Sequence, residues 1–305
     1  MDPVGLRPLG VGEILDVAIK IYRSRFGVLV KSVSVVLGPV FLLGALVQLS
    51  IPHDDPLFGS TQPGGAPNFE ADRFWSFLAA TLLVSVLAFV ASQLATGACF
   101  KAVAGAYFDE QPDWRVSLRF GRSRLRSLVW LSVLVPLLLF PATLAFLVPA
   151  IYLYVAWAVA APVLLLEDVR GRAALKRSRA LVRGRWWPAL GVLVLVTLLV
   201  AIMQALFVGL FAGVVSVSSN EVAQAVAQGV VQMAASALTT PLSAAVLTVL
   251  YFDLRVRKEG FDLELLAHRL GTDPGSVATT DAPAPAPSDD DEAPARPPPW
   301  PPRDG

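Results

Sequence analysis

Cysteine and histidine are nearly missing from this sequence, with one Cys and two His in 305 residues. A lone Cys99 excludes an intramolecular disulfide and a thiolate metal cluster, and it reads as a buried structural thiol. No HExxH run is present, which excludes a zincin-type metalloprotease. No GxxxxGK[ST] run is present either, which argues against a P-loop NTPase. The GxSxG elbow of serine hydrolases is missing as well. Charge is scarce: Asp, Glu, Lys and Arg make up 16% of the chain, against about 25% in soluble domains.

What replaces charge is apolar sequence in long runs. Hydrophobic residues reach 55%, and the mean hydropathy is +0.60. Six apolar spans stand out: Phe26–Ile51, Phe74–Phe100, Ser127–Phe146, Ala150–Leu166, Trp186–Phe211 and Gly229–Phe252. A helix crossing the hydrocarbon core needs about 20 such residues. Six crossings put both termini on one side, and 24 of the 25 Lys and Arg residues then fall on that side, with Arg73 the exception. Basic loops stay cytoplasmic. The expectation is therefore a multi-pass cell-membrane protein with both termini cytoplasmic. His53 and His268 then lie on opposite sides and share no site. A cleavable signal peptide is not expected, because the first apolar run comes after about 25 mixed residues and is longer than a signal core.

Residues 10–25 read as an amphipathic helix, with Ile14, Leu15, Ala18, Ile19 and Tyr22 on one face. Such a helix rests in the headgroup layer. Similar entries precede each odd-numbered span: Arg23-Ser-Arg25-Phe26, Arg122-Ser-Arg124-Leu125 and Arg183-Gly-Arg185-Trp186. The fold class expected is thus an all-α membrane protein of six transmembrane helices with short cytoplasmic interfacial amphipathic helices; the three similar entries read either as three helical-hairpin repeats or as Arg placed at each cytoplasmic boundary. The membrane domain is expected over residues 1–270, ending in a cytoplasmic helix over Asp253–Leu270. Residues 271–305, rich in Pro, Ala and Asp, lack the apolar content to offset ordering entropy and read as a disordered tail.

The spans carry almost no ionisable groups, which argues against a proton-coupled carrier. Gln48, Gln93, Thr96, Thr143, Gln204, Gln232, Thr239 and Thr240 read as interhelical hydrogen-bonding groups, and Gly209 with Gly213 as a close-approach pair. The carboxylate pairs Asp54/Asp55, Glu70/Asp72, Asp109/Glu110 and Glu167/Asp168 read as solvated loop charges. Prolines inside spans remove a backbone donor, so Pro39, Pro136, Pro162 and Pro241 are the expected helix-kink positions, with Pro141 beside them. The contact surface expected for lipid or a partner is the Arg-rich stretch Arg177, Arg179, Arg183 and Arg185 with Trp186 and Trp187, because cations next to Trp suit an anionic interface.

Several segments carry a resemblance. Leu6-Arg-Pro-Leu-Gly-Val-Gly-Glu-Ile-Leu-Asp-Val-Ala-Ile-Lys-Ile-Tyr-Arg is one, and Val148-Pro-Ala-Ile-Tyr with Ala160-Ala-Pro-Val-Leu-Leu-Leu-Glu167 is another. Arg177-Ser-Arg-Ala-Leu-Val-Arg-Gly-Arg-Trp-Trp187 and the run from Leu250 to Asp262 complete it. Together they resemble uncharacterised actinobacterial multi-pass proteins akin to the membrane domain of glycerophosphodiester phosphodiesterases. In such enzymes hydrolysis belongs to a separate barrel, and a TIM barrel needs about 250 residues. Only about 50 residues come after span six. The resemblance therefore implies the membrane module without the catalytic domain. The reading from sequence is a non-enzymatic membrane module that organises lipid or a partner protein, with no cofactor, no metal and no nucleic acid, and with a homo-oligomer as a further partner option. The alternative is a transporter or lipid translocator built on the Pro-interrupted helices.

Overall fold

The computed structural model describes residues 9–50, 71–108, 111, 113–145, 147–217 and 221–259. The expected tail over 271–305, most of the 52–73 loop, and both histidines lie outside the described residues. The residues up to Glu259 form one compact unit. Among the described residues the elements are all helical: α1 (Val11–Ser24), α2 (Phe26–Ser50), α3 (Ala71–Tyr107), α4 (Trp114–Ala145), α5 (Leu147–Ala156), α6 (Ala160–Leu166), α7 (Arg172–Val182), α8 (Trp186–Val217) and α9 (Glu221–Glu259). Six segments are long and apolar enough to cross a membrane: α2, α3, α4, α5 with α6, α8 and α9. They match the six spans read from the sequence, and the chain is an all-α membrane protein.

Burial reflects that solvent. Leu137, Phe140 and Leu144 of α4 are 65%, 69% and 81% exposed, an apolar surface that water would penalise and acyl chains solvate. The inner helix is α9, which packs against α1, α2, α3 and α8. Its residues Ala245, Val246, Val249, Leu250 and Tyr251 are fully buried. Helix α1 keeps the expected face, with Ile14 and Ala18 buried and Ile21 added. The Glu13 carboxylate accepts the Gly10 N–H at 2.7 Å and starts the helix. This face does more than rest in headgroups, because it docks on α8 and α9.

Two expectations change at the level of individual helices. The interfacial helices before spans one and five are separate elements, α1 and α7, but the one before span three is the start of α4. The chain turns between α7 and α8 because Gly184 sits at φ +88, a conformation open to glycine. At the matching position in α4 stands Ser123 and the helix continues through it, while the run before span one breaks at Arg25 without a glycine. Close helix approach also occurs elsewhere than expected. A Cβ on Gly209 or Gly213 meets nothing within 4 Å. A Cβ on Gly121 of α4 would lie 3.0 Å from the Leu94 carbonyl oxygen of α3 and 3.1 Å from the Ala98 nitrogen, while one on Gly97 would lie 3.3 Å from Gly121 Cα. The α3/α4 crossing depends on this pair of glycines.

Of the prolines, Pro39, Pro136, Pro141 and Pro241 lie within uninterrupted helices. Span four is different: it stops at Ala156 and restarts at Ala160. Pro162 explains the place. It has no N–H for the Ala158 carbonyl four residues back, and its ring crowds that carbonyl. The backbone tightens instead, and the Ala160 N–H donates to the Trp157 oxygen at 3.0 Å. That frees the Ala156 carbonyl, which accepts the Ser178 hydroxyl of α7 at 2.9 Å. Ala156, Val159, Ala160, Pro162 and Ser178 are all buried. A broken helix at membrane depth survives when it is enclosed by protein and its freed carbonyls find donors.

Candidate functional site

The basic end of the bundle is organised around α7. This short helix runs between two glycines of positive φ, Gly171 at +58 and Gly184 at +88. Its apolar positions Ala174, Leu175, Leu181 and Val182 are buried. Arg172, Lys176, Arg179 and Arg183 are spaced at i, i+4, i+7 and i+11, so they share one face, and all four are exposed. Among the described residues none of the four forms an ion pair. The Arg179 guanidinium lies 5.8 Å over the Tyr152 ring, a cation–π contact. A stripe of like charges at helical spacing repels itself by about 0.2–0.5 kcal/mol per pair, and a bound anion removes that cost.

Arg177 belongs to the same sequence cluster but faces elsewhere. Its Nε donates to Glu167 Oε2 at 2.7 Å and its Nη2 donates to Oε1 at 3.2 Å, while a second pairing reaches Glu259 of α9. The Tyr251 hydroxyl donates to Glu167 Oε1 at 2.9 Å, and Arg255 donates to that hydroxyl at 3.5 Å. Lys258 donates to the Ala180 carbonyl of α7. The bond to Glu167 first, and then the bond to Glu259, hold the Arg177 pKa above its ordinary value. Arg177 therefore ties α7 to α9 and is removed from the expected contact surface. Glu167, expected as a solvated loop charge, has a side chain only 12% exposed and is the hub of this network.

Arg183 caps α7 with its N–H on the Arg179 oxygen, and the Arg185 N–H donates to the Val182 oxygen at 2.9 Å. These two residues form the turn into α8. Trp186 stacks on Tyr152 at 6.2 Å between centroids, and Trp187 meets Trp186 edge-on at 4.8 Å. Trp187 is 76% exposed. The structure thus brings Arg179 and Trp186 together on Tyr152, a residue of α5 that sequence reasoning missed. Its signal was weak, because a tyrosine inside an apolar span has no periodic mark.

Two further anchors complete this end. Asp253 accepts the Leu9 N–H at 2.8 Å and pairs with Arg257 at 2.9 Å, while Arg257 also donates to the Leu9 carbonyl. In sequence Asp253 lies nearest Arg255, but helical spacing puts Arg257 one turn away on the same face. Asp168, at φ 57, pairs with Arg124 of α4 and lies 3.8 Å from Arg170. The bond from Arg124 holds the Asp168 carboxyl below the usual range. Polar groups in the spans mostly serve their own helices. Thr143 and Thr239 donate to carbonyls of their own turns, whereas Gln93 accepts the Ser132 hydroxyl across α3 and α4 at 2.6 Å.

Six apolar crossings, a charged end and a broken span define a multi-span integral membrane protein. The family model described as Domain of unknown function (DUF8558) matches residues 73–279, and the chain belongs to that family. No curated protein and no solved structure matches it.

Proposed function

We propose that the chain is a non-enzymatic membrane module that organises lipid or a partner protein through its Arg-rich end. In this reading both termini face the cytoplasm of a cell membrane, as the sorting of Lys and Arg implies. The observation that carries the reading is the α7 stripe of Arg172, Lys176, Arg179 and Arg183, exposed and without ion pairs among the described residues, beside the exposed Trp187. Juxtamembrane cations contribute about 1 kcal/mol each near an anionic leaflet. A membrane module without its own chemistry is also what the resemblance to glycerophosphodiester phosphodiesterase membrane domains implies. Replacing Arg179, Arg183 and Arg185 with Gln is expected to weaken binding to anionic liposomes or to a co-purifying partner. Unchanged binding by a correctly inserted variant refutes the reading.

A second reading, a transporter or lipid translocator, rests on the break at Trp157–Val159 of span four, since broken helices line transport sites. Single cysteines around Pro162 and Pro241, in a Cys99→Ser background, test it by labelling from water. Uniform protection counts against it.

A further inference from the structure

Helix α4 carries a second basic stripe. Arg115, Arg119, Arg122 and Arg126 repeat the 4-3-4 spacing of the α7 cations, and all four are exposed. Among the described residues none of them forms an ion pair, and Arg115 lies over its neighbour Trp114 at 4.8 Å. The opposite face, with Ser117, Gly121 and Leu128, is buried.

The side chains beyond Arg126 on the same face identify the occupant. Trp130, Val133, Leu137, Phe140 and Leu144 continue the stripe at alternating intervals of four and three, and each is exposed. One side of one helix therefore passes from guanidinium to indole to aliphatic. That order matches the layers of a bilayer leaflet: phosphate, glycerol region, acyl chain. The height agrees. From Ser127 to Ala145 the helix rises roughly 28 Å, close to the thickness of the hydrocarbon core, which leaves Arg126 at its edge.

The start of α7 meets this stripe at the same level. A methyl group on Gly171 would lie 3.9 Å from the Trp130 indole nitrogen. The Asp168–Arg124 pair fixes the intervening loop to α4. Arg172 comes directly after Gly171, so the first cation of the α7 stripe follows the residue that adjoins Trp130, one turn beyond Arg126.

We infer that the α4 face, completed by Arg172, is a binding site for an anionic phospholipid. The phosphodiester sits on Arg122, Arg126 and Arg172, the indole of Trp130 packs at the glycerol level, and an acyl chain lies along Val133 and Leu137. The inference rests on the lipid reading of the basic end and assigns it a seat separate from Arg179, Arg183 and Arg185.

The test uses the purified full chain in detergent. Phosphatidylglycerol and phosphatidylcholine, each brominated near the head of the acyl chain, are titrated, and tryptophan quenching is compared with that of the Trp130→Phe variant. The Trp130 share of the emission is expected to quench at a phosphatidylglycerol fraction about tenfold lower than that of phosphatidylcholine. Equal quenching by the two lipids overturns the inference, and this arm needs no change to the arginines. In a second arm, bound phosphatidylglycerol is measured by mass spectrometry for R122Q/R126Q and for R179Q/R183Q/R185Q. The first set is expected to lower affinity tenfold to a hundredfold, on the order of the effect of removing two interfacial cations. Loss in both sets supports both sites. Loss in the first set alone supports the α4 site and removes the α7 reading. Loss in the second set alone overturns the α4 site and leaves the α7 reading standing. Loss in neither overturns both.

Discussion

Replacing Ser178 with Ala tests the account of the broken span. Ser178 and Ala156 are buried, and the serine hydroxyl supplies the hydrogen bond that the Ala156 carbonyl loses when Ala160 turns to Trp157. The alanine variant removes one oxygen and leaves almost no cavity, so the dominant effect is a buried carbonyl without its donor. That costs about 1–3 kcal/mol. A central value near 2 kcal/mol predicts roughly a thirtyfold faster amide exchange over residues 157–160 if the region opens locally. The assay is hydrogen–deuterium exchange of the detergent-solubilised chain, read on peptides covering span four, with peptides of α8 as an internal reference. Ser178→Thr keeps a hydroxyl and is expected to restore most of the protection. A double variant adds a sharper constraint. Pro162→Ala returns an N–H for the Ala158 carbonyl and allows span four to close as a continuous helix, in which Ala160 bonds Ala156 again. In that background the Ser178→Ala effect is expected to shrink, a coupling between the two sites. Equal exchange in wild type and Ser178→Ala, or an undiminished effect in the Pro162→Ala background, refutes the reasoning.

Two other perturbations probe the packing and the basic end. Gly121→Val places a branched side chain against the Leu94 carbonyl and the Ala98 nitrogen, so the α3/α4 crossing must open, at a cost of about 1–3 kcal/mol; thermal unfolding in detergent is expected to show a lowered midpoint. Gly121→Ala is expected to be milder, because alanine recovers about 1 kcal/mol of helix propensity. Asp168→Asn tests an electrostatic tie. The pairing with Arg124 lowers the folded carboxyl pKa, so its contribution is complete above the unfolded value near 4 and is lost as pH falls through the lower folded value. The stability gap between wild type and Asp168→Asn is therefore expected to be constant above about pH 5 and to close at more acid pH. Asn suits the left-handed backbone at this position, so the comparison isolates the charge. A gap that persists at low pH contradicts the pairing.

The number of crossings and their positions are legible in the chain alone, because a membrane helix must satisfy its own backbone and present about 20 apolar residues. So are the basic end and the amphipathic character of α1 and α7, since periodicity and charge sorting are local properties of the chain. The two 4-3-4 cation stripes were equally open to reading, at Arg115 to Arg126 and at Arg172 to Arg183, once helix boundaries were known. What each charge does depends on the packed bundle. Arg177 and Arg179 are two residues apart, yet one is turned inward to Glu167 and Glu259 and the other outward over Tyr152. Helical spacing puts them on different faces, but their partners come from loops and helices outside α7 and are fixed only by the packing. The same holds for the prolines. Six lie inside the spans read from the sequence and only Pro162 divides its helix, at the point where Ser178 from α7 is in place to take the carbonyl that is released. The glycine contact was also a tertiary choice: Gly209 and Gly213 have the right spacing and face open space, while Gly97 and Gly121, on different helices, meet. Spacing along one helix states which side chains share a face, and the partner that packs there is fixed only when the whole bundle closes.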